Sequence, residues 1–203
     1  MQAKLPFRKV AEADFPTRWG SFRIMGFEAR SAGKSSPDTA LALVMGDISG
    51  SPPLLRIHSQ CLTGDVFGSL RCDCRQQLEK ALETISTAGA GIIIYEQQEG
   101  RGIGLMAKLR AYELQDQGRD TIEANEELGF SADCRDYDIP VKILQALGIS
   151  QVRLMSNSPQ KIAALRHAAI EILERIPCEG EPAAQSAAYL KTKRDRLGHF
   201  LSK

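Results

Sequence analysis

Three cysteines in a C-x10-C-x-C pattern, Cys61, Cys72 and Cys74, restrict this chain more than any other feature of its sequence. Thiolates that serve one ion must converge, so the ten residues between Cys61 and Cys72 have to leave one element and fold back onto it. The apolar run Leu54 to His58 reads as a strand ending just before Cys61. Leu78, Leu82 and Ile85 give Leu70 to Ile85 a helical spacing, which puts Cys72 and Cys74 on the turn at the start of a helix. Sulfur ligands favour a soft or borderline metal such as zinc. Three of them leave one corner of a tetrahedron open, and open corners mark catalytic zinc, where bound water drops from a pKa of about 15.7 toward roughly 7. Two alternatives stand beside this: three ordinary thiols, or a four-ligand structural site completed by His58, Cys134 or Cys178.

The compartment bears on the choice. The N-terminal Met-Gln-Ala-Lys-Leu-Pro-Phe-Arg-Lys is too polar for a signal peptide, and no segment approaches a membrane span, so a cytoplasmic location is expected. There, five cysteines, an odd number, do not read as a disulfide framework. The zinc deaminase signature, His-x-Glu with Pro-Cys-x-x-Cys, is absent. Lys and Arg total 26 against 25 acids, a net charge of +1 with no long run of one sign, which argues against a nucleic-acid or membrane surface.

The 203 residues suit one core, and no repeat, heptad or low-complexity linker divides them, so a single domain over 1–203 is expected. The first sixty residues read as β-rich, with strands at Ser21 to Glu28, Leu41 to Met45 and Leu54 to His58. Helix and strand then alternate: a strand at Gly91 to Tyr95, a helix at Ile103 to Gln117, and a short helix capped by Thr121 and stopped at Gly129. A helix at Tyr137 to Leu147, a strand at Gln151 to Met155 and a helix opened by Ser158-Pro159 follow. The fold class is α+β (mixed α/β). The last helix, Ala187 to Leu201, carries Lys191, Lys193, Arg194 and Arg196 on a basic face that reads as solvated.

Glu99-Gly-Arg-Gly-Ile-Gly104 follows the Gly91 to Tyr95 strand and leads into a helix, a turn able to bring backbone N–H groups to a phosphate. It is no dinucleotide fingerprint, because Leu105 stands where the third glycine is needed. Arg56, Arg101, Arg135 and Lys161 fall near element ends, where they could gather around a polyphosphate. By themselves these residues support a metal hydrolase for a phosphorylated substrate.

The run Arg56-Ile-His-Ser-Gln-Cys-Leu-Thr-Gly-Asp65, continued by Ser69-Leu-Arg-Cys-Asp-Cys74, resembles the zinc and substrate signature of GTP cyclohydrolase II. Gln98 to Leu105, Lys108 to Gly118, Asp120 to Asn125, Asp133 to Tyr137 and Ser156 to Lys161 match that family in order, so the resemblance covers nearly the whole chain. It implies an enzyme that removes C8 of GTP as formate and releases pyrophosphate, the first committed step of riboflavin synthesis. It implies Cys61, Cys72 and Cys74 as zinc ligands, and Arg56, Ile57, His58, Ser59, Gln60, Gln77, Glu99, Gly100, Arg101, Thr121, Ser156 and Lys161 as GTP contacts. By the same resemblance Asp133 is the proton acceptor, Arg135 the nucleophile toward the α-phosphate, and Tyr112 an aid at the ring-opened stage. Magnesium on the phosphates and a homodimer are implied as well.

Gln60 stands where the family has glutamate, Arg75 where glycine is common, and the stretch from Pro177 to Tyr189 is shorter than usual. These departures leave two further readings open. One is a divergent paralogue opening GTP for another pyrimidine-, deazaflavin- or pteridine-like metabolite; the other is a noncatalytic zinc and nucleotide-binding protein.

Overall fold

The structure, a computed structural model, describes residues 7–30, 37–181 and 183–201. One seven-stranded mixed sheet organises them. Its strands are β1 (Phe7–Thr17), β2 (Gly20–Ala29), β3 (Asp38–Met45), β4 (Leu54–Ser59), β5 (Gly91–Glu96), β6 (Gln151–Met155) and β7 (Glu171–Ile176), in spatial order β1-β2-β3-β5-β4-β6-β7. The β1, β2, β3 and β5 neighbours run antiparallel, while β5, β4, β6 and β7 run parallel. The helices are α1 (Leu62–Asp65), α2 (Cys74–Ala88), α3 (Leu105–Asp116), α4 (Thr121–Glu127), α5 (Asp138–Ala146), α6 (Pro159–His167) and α7 (Ala187–Leu197).

Continuous apolar runs belong to strands covered on both faces, and β4 and β5 are such strands. Ile92 and Ile94 point with Leu55 and Ile57 into a core that includes Ile143, Leu144 and Leu165 of α5 and α6. Ile93 and Leu54 point the other way, against Ala81, Leu82 and Ile85 of α2. The two-residue period therefore sends Arg56 and His58 to the α2 side, the side that carries the site.

The mixed α/β class and the expected central strands and helices are all present. Strands β1 and β7 escape sequence patterning. All of β1 except its ends is exposed, so it lacks apolar alternation; backbone pairing to β2 and cross-strand ion pairs such as Arg8–Glu28 at 2.9 Å hold it instead. Edge strand β7 is mostly exposed. Helix α2 starts at Cys74, later than Leu70, because the preceding residues form the cysteine loop. The cap of α4 is Asp120 and not Thr121: its carboxylate accepts from the N–H groups of Ile122 and Glu123, and Glu123 completes a capping box. Helix α7 stops at Leu197, where Gly198 takes the left-handed conformation (φ 64°) that a side chain would resist.

Candidate active site

The parallel strands β4, β5 and β6 end on one edge of the sheet, and the loops leaving them build the site. Beyond β4 the chain is pinned by a series of hydrogen bonds. The Gln60 N–H donates to the Glu96 carbonyl at 2.8 Å. The Cys61 N–H and the Tyr95 hydroxyl donate to Asp65 Oδ2 at 3.0 and 2.8 Å, and the Leu62 N–H donates to Glu99 Oε2 at 2.6 Å. This fixes Cys61 opposite Cys72 and Cys74, and the three sulfurs lie within 4.8 Å of one another.

The donor set fits a zinc ion. Three thiolates this close repel unless a cation lies among them. Without one they share protons, and hydrogen bonds from Cys72 and Cys74 pull the Cys61 pKa far down. The hydrogen bond to Cys61 pushes Cys72 up to about 11, and Cys74 is driven well above the ordinary thiol range by both neighbours. Gly64 supplies the cradle: a Cβ there would stand 3.0 Å from the Cys72 sulfur and 3.1 Å from that of Cys61. Gly64→Ala is accordingly expected to lower zinc affinity about tenfold or more, measured by competition with a chromophoric chelator, while the thermal midpoint of the metal-free protein barely changes.

The three candidates for a fourth ligand are engaged elsewhere. His58 Nε2 is 3.2 Å from each Asp65 carboxylate oxygen. The Cys178 thiol donates to the Gln77 carbonyl at 3.5 Å, and the exposed Cys134 donates to the Ser131 carbonyl at 3.8 Å. Among the described residues, none of the three joins the cluster. Lys108 does reach it, with its ammonium 3.2 Å from the Cys61 sulfur, 2.9 Å from the Thr63 hydroxyl and 2.7 Å from Glu99 Oε1. The Tyr112 hydroxyl lies 3.2 Å from that of Thr63, so its ring lines the cavity over the cysteines.

A second cavity adjoins the first and shares Ser59, Cys74, Arg101, Arg135 and Tyr189 with it. Five cations line it: Arg56, Arg101, Arg135, Lys161 and Lys193. Several of its polar atoms are buried without a partner in the protein, namely Arg56 Nε, both terminal nitrogens of Arg101, His58 Nδ1, Ser59 Oγ and Asn157 Nδ2. Buried donors are normally satisfied, so the Arg56, Arg101, Ser59 and Asn157 groups among them call for an acceptor-rich anion. Burial, then the charges of Arg56 and Arg135, depress the Lys161 pKa well below that of a free lysine. Arg101 adopts φ 63° and ψ 36°, left-handed for a residue with a side chain and costing about 1 kcal/mol. That backbone follows Gly100 and points the guanidinium inward.

Arg135 is clamped by Asp133: its Nε donates to Oδ1 at 2.9 Å and a terminal nitrogen donates to Oδ2. Burial opposes ionisation of Asp133, but the hydrogen bonds and charge of Arg135 outweigh it and hold the carboxyl below its usual range.

Of the residues singled out in sequence, Ser59, Gln60, Glu99, Gly100, Arg101 and Thr121 line the cysteine cavity. Arg56, His58, Gln77, Ser156 and Lys161 line the cationic one. Two lie apart from both. Ile57 is fully buried in the core, its carbonyl accepting from the Lys161 ammonium at 2.7 Å, and Asp133 sits behind Arg135. Arg75 pairs with Glu79 at 3.1 Å outside either cavity, so that departure does not touch the site, whereas Gln60 does.

Sequence reading missed Lys108, Asn157, Tyr189, Lys193 and His199. It set Lys193 on a solvated face, yet this residue is 8% exposed and its ammonium lies 3.0 Å from Asp73 Oδ1. Its spacing from Tyr189, one helical turn, was the available signal.

Glu96 at the end of β5 gives a test of this buried electrostatics. Its Oε1 accepts from Gln98 at 2.8 Å and its Oε2 has no partner. Burial pushes its pKa up to about 7 against the pull of Lys161, Gln98 and Arg135. A raised carboxyl favours the folded state below the ordinary glutamate pKa, and that advantage is lost as pH rises through about 7. Glu96→Gln should therefore flatten the rise in unfolding free energy toward acid and add about 2 kcal/mol at pH 8, read from urea melts across pH.

The family model described as GTP cyclohydrolase II matches residues 8–177. The chain is 50% identical over 199 residues to the GTP cyclohydrolase-2 of Shewanella amazonensis, covering 98% of this chain and 95% of that protein. It is 50% identical over 200 residues to the GTP cyclohydrolase-2 of Proteus mirabilis, covering 98% of each. It is 51% identical over 196 residues to the riboflavin biosynthesis protein RibBA of Chlorobium phaeovibrioides, covering 96% of this chain but 47% of that longer protein.

Proposed function

This chain belongs to the GTP cyclohydrolase II family, and we propose that it opens the guanine imidazole ring of GTP by hydrolysis. Formate and pyrophosphate leave, and 2,5-diamino-6-(ribosylamino)pyrimidinone 5'-phosphate enters riboflavin synthesis. The observation that carries the reading is the junction of the two cavities: three convergent thiols in one, unpartnered buried cationic donors in the other, with shared walls. A purine placed at the cysteines would run its phosphates into the cations.

Cys61, Cys72 and Cys74 would hold zinc. Bound there, the ion supplies Lewis acidity that makes water nucleophilic at neutral pH. The chain's own residues do the rest. Lys108 and Glu99 keep the Cys61 loop in place, and Tyr112, braced by Thr63, presents its hydroxyl beside the ring being opened. Gln60 and Thr121 border the base. Arg56, Arg101, Arg135 and Lys161 neutralise the polyphosphate, which arrives as its magnesium complex.

Arg135 acts as a cationic clamp. Burial works against its charge, but the hydrogen bonds to Asp133 keep the guanidinium protonated. Asp133 fixes the plane of that guanidinium and stands within reach of any proton leaving it. A cytoplasmic homodimer working as one domain over residues 1–203 completes the reading; among the described residues, no helix is long and apolar enough to cross a membrane.

Zinc-loaded protein incubated with GTP and magnesium should release formate and pyrophosphate in equal amounts. Pyrophosphate alone, or neither product, overturns the proposal.

A further inference from the structure

The family match ends at residue 177, yet α7 supplies part of the cationic cavity. Tyr189, Lys193, Leu197 and the following His199 all line it. Lys193 is the charged member. Its ammonium carries three donors and Asp73 accepts one of them, at 3.0 Å. The two side chains are 10% and 1% exposed.

Asp73 lies between Cys72 and Cys74, and its other oxygen accepts from the Gln77 amide. The Gln77 oxygen in turn accepts from an Arg56 terminal nitrogen at 2.6 Å. An unbroken chain of polar contacts thus joins α7 to the cysteine loop and to Arg56. Tyr189 packs under the Lys193 ammonium, 4.4 Å from ring centre to nitrogen, and Arg101 approaches the same ring at 5.8 Å.

A lysine whose only neighbouring charge was Asp73 would be a closed structural pair. Lys193 instead shares its cavity with Arg56, Arg101, Arg135 and Lys161, several of whose nitrogens are buried without partners. The geometry points to Lys193 as a binding residue for the polyphosphate end of the substrate, held in place by Asp73 and delivered by α7. This rests on the proposed nucleoside triphosphate substrate. Helix α7 is then a wall of the substrate site, and the solvated-face reading is replaced by a binding one.

Calorimetric titration of zinc-loaded protein with inorganic tripolyphosphate and, separately, with guanosine tests this. Lys193→Met should weaken tripolyphosphate binding about tenfold or more and leave guanosine within about twofold. Lys193→Arg should recover most of the loss, and the KM for GTP should rise in parallel. The double variant Lys193→Met/Asp73→Asn, which leaves no buried carboxylate unpaired, should show the same selective loss with zinc content unchanged.

Unchanged tripolyphosphate affinity in both methionine variants overturns the inference, as does an equal loss for tripolyphosphate and guanosine. Wild-type protein that binds no tripolyphosphate does so too. Because tripolyphosphate binding is read without turnover, a lack of formate from GTP would overturn the proposed reaction alone.

Discussion

Cys72→Ser is expected to cut formate release from GTP about a thousandfold and to leave the purified protein largely free of zinc. Three sulfurs within 4.8 Å form the whole protein donor set among the described residues. Losing one leaves two ligands, and serine offers a hydroxyl that ionises far less readily than a thiol. The magnitude follows from the several kcal/mol that a Lewis acid contributes to a hydrolytic step, about 4 kcal/mol for three decades. The cationic cavity should survive, because Arg56, Lys161 and Arg135 are held by Gln77, the Ile57 carbonyl and Asp133, none of which is a metal ligand. Tripolyphosphate affinity should therefore stay close to wild type. Metal analysis and formate detection on one preparation check the result, and full formate release with zinc retained would disprove the ligand assignment.

Arg135→Ala is expected to carry two penalties at once. Its side chain and that of Asp133 are 12% and 5% exposed, so removing the guanidinium strands a buried carboxylate, at a cost of about 3–5 kcal/mol of stability. The proposed function also makes Arg135 a clamp on the phosphates, so kcat/KM for GTP should drop by about two to three orders of magnitude.

The pH dependence separates the two. In the native protein Asp133 is held below its ordinary pKa, so the pair contributes stability above that value and loses it as pH falls through the lowered one. Without Arg135 burial dominates and raises the carboxyl. The variant should then lose stability as pH rises through the carboxylate range, the opposite slope. Thermal melts from about pH 2 to 8 read the slope, and matching slopes in both proteins would rule out the clamp. Arg135→Lys retains charge without the fork and should recover stability better than turnover.

Much of this site was legible before any coordinates. Cysteine spacing pointed to one ion because Cys72 and Cys74 sit at a helix start, and Ser158-Pro159 announced α6 through a cap and a residue preset for the first turn. Local chemistry governs such features, so local sequence reveals them. Thr121 failed as a cap because Asp120, one residue earlier, accepts from two backbone N–H groups, and neighbouring polar residues compete for that position. Strand β1 failed for a different reason: it lies at the sheet edge, held by its hairpin neighbour β2, and a strand exposed on both faces has no apolar period to display.

The three cysteines, the glycine-rich turn and the basic residues at strand ends were determined by sequence, since each is a matter of residue type and spacing along the chain. Whether His58 meets metal or Asp65, whether Asp133 faces the cavity or backs Arg135, and whether Lys193 faces solvent or lies buried beside Asp73 were decided by tertiary structure alone. Lys193 meets a partner 120 positions away. A charge becomes a binding group when distant segments bury it beside other charges, and periodicity along one helix does not record what packs against it.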